Sequence, residues 1–515
     1  MCGIFCYFTT EKGPVNYEQL KENGSKCSHR GPDNTKELII HGDNLMVYFQ
    51  FHRLAINGLD EISNQPLKIK KAEHLTLICN GEIYNYKKLA AKYNFEMETN
   101  SDCEVILHMA TILPLDSFIN ELDGVFSFIL YDSIKNLVMV GRDPYGIRPL
   151  YYFNEGNTFG FSSEMKCLTE LSDNVKFYPP SGFSLYYANT KQYHEYNYND
   201  YEYEEIEDTD KNICDTIHDK LNSAVVKRTF TDRPFGCLLS GGLDSSIITS
   251  IICKYFEPKN IRTFAIGLEN SPDLIAAQKV AGYLGTNHTN VVVSEKEMLE
   301  AIDETIYQIE SKDTTTVRAS VPMFLLSKYI RDNTDIKVIF SGEGSDEASG
   351  SYLYFHNAPN ATEFQKESIR LVRDVQYFDV LRSDKTTAGA GLEIRVPFFD
   401  KEFMEYYMGI NPKKKIVRDG MEKYLLRKSF EKELPEEIVW RRKDGFSDGV
   451  SGKDKPWYEI INDYTMEKYD LPEKEYYLSV YKKHYNGFEN VVPYYWMPKW
   501  IENVGDNPSG RLIID

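Results

Sequence analysis

The stretch that most constrains this chain is SGGLDSS, residues 240–246. An apolar run over 235–239 precedes it and another over 247–253 follows, a pattern that predicts strand, glycine-rich turn and helix. Such a joint is an anion site. Two glycines allow a tight turn that brings backbone N–H groups near a ligand, and the start of the helix adds its positive dipole end. No Walker lysine follows the glycines, so this is not the usual mononucleotide P-loop. A lone SGG is more often a plain turn between strand and helix. The full seven-residue string tips the balance toward a site.

At 515 residues the chain exceeds one ordinary core, and about 150 residues per domain predicts several, of which two are expected to be large. Apolar residues make up 42% and charged residues 27%, the proportions of a soluble globular protein. A net charge of −19 argues against nucleic acid as the main partner, because phosphate backbones need basic surfaces. ATP stays open, since its site is local. The nine cysteines, the last at Cys253, lack CxxC pairs and zinc-spaced histidines. A reducing, cytoplasmic setting is expected. No segment approaches the roughly 18 consecutive apolar residues of a membrane span, and the apolar start over 1–8 is too short for a signal peptide.

The chain opens Met1-Cys2-Gly3-Ile4-Phe5, and a small second residue permits removal of Met1. Cys2 would then carry a nucleophile and a base together, because a free α-amine of pKa roughly 7.7–8.0 can accept the thiol proton. MCGIF alone could as well be a strand opened by a small hydrophobe. Context decides between the two: SHRGPD over 28–33, HRLAI over 52–56, NGEIYN over 80–85 and SDCE over 101–104. In this order and spacing, residues 1–192 resemble the class II glutamine amidotransferases, which are N-terminal nucleophile (Ntn) hydrolases. The resemblance implies an α+β sandwich of four layers, αββα, with two antiparallel sheets between helices. It also implies that Cys2 attacks the side-chain amide of glutamine and that Asn80 and the Gly81 N–H form the oxyanion hole. Arg53 and Asp102 would hold the α-carboxylate and α-ammonium, with Glu82 assisting. The residue types suit those parts: arginine grips a carboxylate by two nitrogens, an acid pairs with an ammonium, and an amide beside a glycine offers converging donors. Cys6 is expected to be a buried strand thiol, and the apolar runs over 126–131 and 137–140 are expected to be paired strands.

YHEYNYNDYEYEEIEDTD, residues 193–210, is dense in tyrosine and acid and is expected to be a linker. Ile213, Ile217, Leu221 and Val225 then recur every four residues and predict a helix with one buried face. Across the second domain, 211–515, strand patterns over 261–268, 289–293 and 336–340 alternate with helices over 271–284 and 321–330, and Ser294 with Glu297 predicts a capping box. The alternation predicts an α/β domain with a parallel sheet covered on both faces, whose ligands bind at the carboxyl ends of the strands. SGGLDSS falls there, and so does SGEGSDE, residues 341–347, with its three carboxylates.

SGGLDSS resembles the pyrophosphate loop of the ATP pyrophosphatases, which split ATP into AMP and pyrophosphate while adenylating a substrate. With YYWMP over 494–498 and DNPSGR over 506–511, nearly the whole chain resembles the glutamine-hydrolysing asparagine synthetases. That resemblance implies adenosine contacts from Leu238 and Ile266, and a pyrophosphate grip from Ser240, Gly241, Gly242, Leu243, Asp244, Ser245 and Ser246. It adds Ser341 and Gly342 to the ATP site, with Glu343 at the aspartyl-adenylate, Arg318 near the nucleotide and Lys443 on the phosphates. ATP arrives with Mg²⁺, a cation that takes oxygen ligands, so Asp244 and Asp346 are the expected metal-facing carboxylates. The implied reaction uses L-aspartate, L-glutamine and ATP and gives L-asparagine, L-glutamate, AMP and pyrophosphate through a β-aspartyl-AMP intermediate; the family implies a homodimer. A related adenylating amidotransferase, or a β-lactam-synthetase-like enzyme acting on another carboxylate, is the alternative. The latter is expected to lack a working glutaminase, whereas Cys2, Arg53, Asn80, Gly81 and Asp102 are all present. A silent scaffolding homologue would be expected to have lost the nucleophile or the loops.

Overall fold

The computed structural model describes residues 1–515 apart from 443–444, 446–448, 453–454, 502–504, 506 and 510–515. Eleven strands build the amino-terminal half: β1 (Gly3–Thr9), β2 (Asn34–His41), β3 (Met46–Arg53), β4 (Leu75–Ile83), β5 (Gly124–Asp132), β6 (Leu137–Arg142), β7 (Tyr151–Asn154), β8 (Thr158–Ser162), β9 (Lys176–Phe177), β10 (Gly182–Tyr187) and β11 (Gln192–Asn197). They form two sheets, ordered β2-β3-β1-β8-β7-β9 and β11-β10-β6-β5-β4, and every pairing within them is antiparallel.

The period-two geometry of a strand divides β1 between two environments. Ile4, Cys6 and Phe8 face the second sheet and join Ile78, Ile129 and Val140, whereas Phe5 joins Leu20 of the helix Tyr17–Ser25 on the other side. The outer face of the second sheet carries Leu77, Phe126 and Phe128 against Val105, Ile106 and Met109 of the helix Glu104–Ile112. Helix, sheet, sheet and helix therefore stack in the expected αββα order. Full burial of each such apolar side chain is worth about 1.5–3 kcal/mol, so the space between the sheets is the main fastening of this half. Cys6 lies inside it, where burial pushes its thiol far up.

The first part of the expected linker is a strand. Tyr193 and Tyr196 of β11 alternate across the sheet, Tyr193 against Phe159 and Tyr196 stacked on Phe183. Three residues apart, the two rings lie on opposite faces, and each pairs with an aromatic residue there, which the acid content of the stretch obscured. The remainder runs to a parallel bridge between Ile206 and Ile410. The helix Asp210–Lys227 then begins, capped by Thr209, with Ile213, Ile217, Leu221 and Val225 all buried.

A third sheet of five parallel strands forms the second half. Its members are β12 (Phe235–Leu238), β13 (Arg262–Gly267), β14 (Asn287–Val292), β15 (Val338–Phe340) and β16 (Glu393–Arg395), ordered β14-β13-β12-β15-β16. The capping box at Ser294 and Glu297 is formed. The helix expected over 321–330 extends over Thr314–Asn333 with Pro322 inside it, and the Asp313 side chain caps its start by accepting from the Thr316 N–H. β12 lies beside β15, with Cys237 opposite Phe340, so the two glycine-and-serine loops leave the sheet side by side. The halves meet through buried charge: Glu310 accepts from the backbone N–H groups of Met165 and Lys166, 2.8 Å each, and pairs with Lys385. Among the described residues no helix is long and apolar enough to cross a membrane.

Candidate active site

At the amino-terminal end, β1 presents Cys2 beside β4. With Met1 in place the Cys2 nitrogen is a peptide N–H, and it donates to Asn80 Oδ1 at 2.9 Å. The other half of that amide is unspent: Asn80 is fully buried and its Nδ2 has no partner among the described residues. A buried donor without an acceptor is costly, and a developing oxyanion is the acceptor that fits it. Gly81 follows on β4, opposite Phe126. Cys2 Sγ lies 3.7 Å from the Leu54 carbonyl, and burial pushes the thiol up while the nearby amino terminus pulls it back. Met1 is itself buried, its amine 4.0 Å from Glu393 and held down to about 6 by loss of solvent.

Arg53 closes β3, and its terminal nitrogens donate to the carbonyls of Asn57, Gly58 and Asp60 and to Asn64 Oδ1. It shapes the loop that borders the site. Asp102 accepts from the Ile83 N–H, and burial raises its carboxyl to about 6. Glu82, expected to assist with glutamine, accepts from Asn57 Nδ2 and lies 3.6 Å from Arg395 of the second half. Burial first, then the charge of Asp102, drives its carboxyl well up. Two buried acids this close hold a proton readily.

At the other end a cavity of about 270 Å³ opens over the carboxyl ends of β12, β13 and β15. Among the expected residues, Leu238, Ser240, Gly242, Leu243, Asp244, Ser245, Ile266, Arg318, Ser341, Gly342, Glu343 and Asp346 all line it. Two expected contacts do not. Gly241, at φ +73°, turns its α-carbon onto the backbone of Ala276 and Ala277, where a Cβ would sit 2.4 Å from an atom, so it shapes the turn from behind. Ser246 is fully buried and donates to the Gly242 carbonyl at 2.7 Å, one turn into the helix Leu243–Tyr255. Among the described residues no side chain caps that helix, which leaves its first N–H groups able to meet an anion. The two loops touch: a Cβ on Gly342 would sit 2.8 Å from Asp244 Cβ.

Asp244 Oδ2 and Asp346 Oδ1 converge, each 2.6 Å from Lys423 Nζ. Among the described residues no group of three or more acids, histidines or cysteines could hold a metal ion. Two carboxylates on one cation, with further oxygens from substrate phosphates, nonetheless match the way Mg²⁺ is usually bound. Lys423 was not singled out in the sequence; it stands 179 residues from Asp244 and carries no motif. Arg318 lines the cavity, but its guanidinium is committed to buried Glu473 and to Asn507. It is thus at the cavity wall with its charge already paired. Glu343 Oε2 meets Arg382 Nη2 at 2.8 Å, and burial raises the Glu343 carboxyl against the pull of that arginine. Arg382 was also missed from the sequence, as was its second partner Asp379 at 2.9 Å. Lys443 lies outside the described residues.

A model of the asparagine synthase family matches residues 216–369 and 358–502, and one of the glutamine amidotransferase domain matches residues 1–210. An asparagine synthetase (glutamine-hydrolyzing) of Gallus gallus is 40% identical over an alignment covering 100% of this chain and 98% of that one. The chain belongs to the glutamine-hydrolysing asparagine synthetases. Its relatives in Rattus norvegicus and Homo sapiens, of the same name, are each 39% identical with the same coverage. Family membership thus spans both sites, the one at Cys2 and the one at SGGLDSS.

Proposed function

We propose that this chain makes L-asparagine from L-aspartate, taking nitrogen from L-glutamine and splitting ATP into AMP and pyrophosphate. The full-length likeness to the family carries the reading. Two intact sites in one chain support it. In the first, the α-amine freed by removal of Met1 takes the Cys2 proton, and Sγ attacks the amide carbon of glutamine. Asn80 Nδ2 and the Gly81 N–H donate to the oxyanion; ammonia leaves, and water hydrolyses the γ-glutamyl thioester to glutamate. Asp102, Arg53 and Glu82 hold the amino-acid end of glutamine, directly or through the loop over 57–60.

In the second site the β-carboxylate of aspartate attacks the α-phosphorus of ATP, because a carboxylate oxygen leaves only once it carries AMP. The N–H groups at the head of the helix Leu243–Tyr255, the Ser240 and Ser245 hydroxyls and Lys423 draw charge from the departing pyrophosphate. Mg²⁺ brought with ATP would be held by Asp244 and Asp346, and supplies further positive charge at the phosphates. Ammonia then attacks the acyl carbon. Glu343, with its carboxyl raised by burial, is suited to take the surplus proton. Lys443 on the phosphates, a homodimer and a cytoplasmic setting belong to the same reading, the last supported by nine free thiols.

Incubation with ATP and aspartate, plus either glutamine or ammonium, tests it. Asparagine, AMP and pyrophosphate are expected from both nitrogen sources; no asparagine from either would sink the assignment. Cys2→Ala should abolish only the glutamine-dependent product.

A further inference from the structure

One buried helix, Asp379–Ala388, touches both reaction sites. On the cavity side Arg382 reaches Glu343 and Asp379. Asp384, two residues on, lies about 200° round the helix and faces the amino-terminal half. Its Oδ1 accepts from Arg30 Nη2 at 2.7 Å and its Oδ2 from Arg148 Nη1 at 3.3 Å. Arg30 spends its other nitrogens within 3.3 Å: Nε donates to the carbonyl of Cys2 at 2.9 Å, and Nη1 to Glu164. Arg30, Arg148 and Asp384 are all fully buried. An unbroken line of contacts therefore runs from Glu343 through Arg382, about half a turn of helix, Asp384 and Arg30 to the peptide of the nucleophile. The next residue, Lys385, is tied to Glu310, which caps the segment Met165–Cys167 of the amino-terminal half, so the helix is gripped on that side too.

The acceptor pocket has a reason to pull on this line. Arg382 is 4% exposed, and its Nε is buried with no partner among the described residues. Nη2 is held by Glu343 and Asp379, whereas Nη1 meets the weak acceptor Met323 Sδ at 3.2 Å. An incoming carboxylate offers Nη1 a better acceptor than that sulfur, and close-packed surroundings turn small shifts of a side chain into shifts of its helix.

We propose that Asp384 is a positioning residue for glutamine hydrolysis, setting the Cys2 peptide through Arg30 and making it responsive to occupancy of the acceptor pocket. The proposal rests on the functional reading above. An ångström of misplacement at a nucleophile costs on the order of 10²-fold in rate, so loss of the Asp384 anchor is read in kcat.

Asp384→Asn keeps the shape and removes the charge. Its glutamine hydrolysis should fall about 10-fold or more in kcat, with KM for glutamine within about twofold because Arg53 and Asp102 are untouched. Ammonium-dependent synthesis, which bypasses Cys2, should persist. An unchanged kcat, or equal loss of both activities in a folded protein, would overturn the proposal. If the variant does not fold, the unmodified enzyme decides. Alkylation of Cys2 by iodoacetamide, followed by peptide mass spectrometry, should change in rate about threefold or more when ATP and aspartate are saturating; an unchanged rate overturns the proposal. Ammonium-dependent asparagine formation in the same sample is checked first, so that a wrong acceptor is recognised as failure of the functional reading alone.

Discussion

Replacing Lys423 by methionine tests the electrostatics of the proposed ATP site directly. The side chain is 2% exposed, and its ammonium is the cation that lets Asp244 and Asp346 face one another. With both oxygens 2.6 Å from Nζ, the tetrahedral donor directions of an ammonium put them about 4 Å apart, where two unit charges repel by about 4 kcal/mol at an effective dielectric of about 20. At roughly 2 °C per kcal/mol for a domain of this size, Lys423→Met should melt about 8 °C below the parent in EDTA. Magnesium should return most of the loss: at about 100 times its Kd it restores about 2.7 kcal/mol by binding only the folded form. The parent, whose carboxylates are already neutralised, should respond much less to magnesium without ATP. Thermal melting by dye fluorescence or calorimetry reads all four conditions. A variant that melts with the parent in EDTA, or that ignores magnesium, would refute the idea that these carboxylates form a cation seat.

Asn80→Ala should lower glutamine hydrolysis about 10²–10³-fold in kcat, measured as glutamate release, and leave ammonium-dependent synthesis in place; a loss under about fivefold would mean that the orphaned amide donates to nothing in the transition state. Glu473→Gln strands the Arg318 guanidinium, and breaking a buried pair from one side costs about 3–5 kcal/mol, so denaturant melts should move strongly; a negligible change would show that Arg318 is free for another task. Lys415 is buried with, among the described residues, the Tyr407 and Met408 carbonyls as its acceptors, and burial pushes its amine down to about 7. Its folded value lies below the unfolded 10.5, so the unfolded chain binds more protons between the two and stability rises with pH across that window. Lys415→Met should therefore raise the melting temperature most at or below pH 7 and least near pH 10; a gap that does not vary with pH would overturn the sign.

The sequence disclosed the parts of the sites that chemistry confines to short strings. SGGLDSS declared a turn and a helix head because glycine, serine and flanking apolar runs act locally, and NGEIYN did the same for the donors beside Cys2. Lys423 and Arg382 gave no such sign. Lys423 stands at φ +58° in a loop, and Arg382 sits in a helix whose residues from 380 to 388 are all buried, so neither has a periodicity to betray it. Their meaning arises only when distant carboxylates meet them. The opposite error occurred at 193–197, where histidine, glutamate and asparagine around the tyrosines suggested solvent, while the two rings were pairing with aromatic partners on opposite faces of an edge strand. Gly241 and Ser246 show how a motif mixes tasks: one shapes the turn and one ties the helix, while their neighbours face the cavity.

The burial of Met1 also sets a clock. The groups that enclose it come from both halves of the chain: Arg148 Nη1 donates to its sulfur, and its amine lies 4.0 Å from Glu393. At about 5–20 residues per second, a ribosome needs roughly 20–80 s to travel from the first codon to codon 393. During that interval the amino terminus lacks its last cover; afterwards it is enclosed, with Met1 1% exposed. A peptidase that removes Met1 has that long to act on each nascent chain. The proportion of molecules born with a free Cys2 amine is then a contest between translation speed and peptidase abundance, and slowing elongation before codon 393 should raise it.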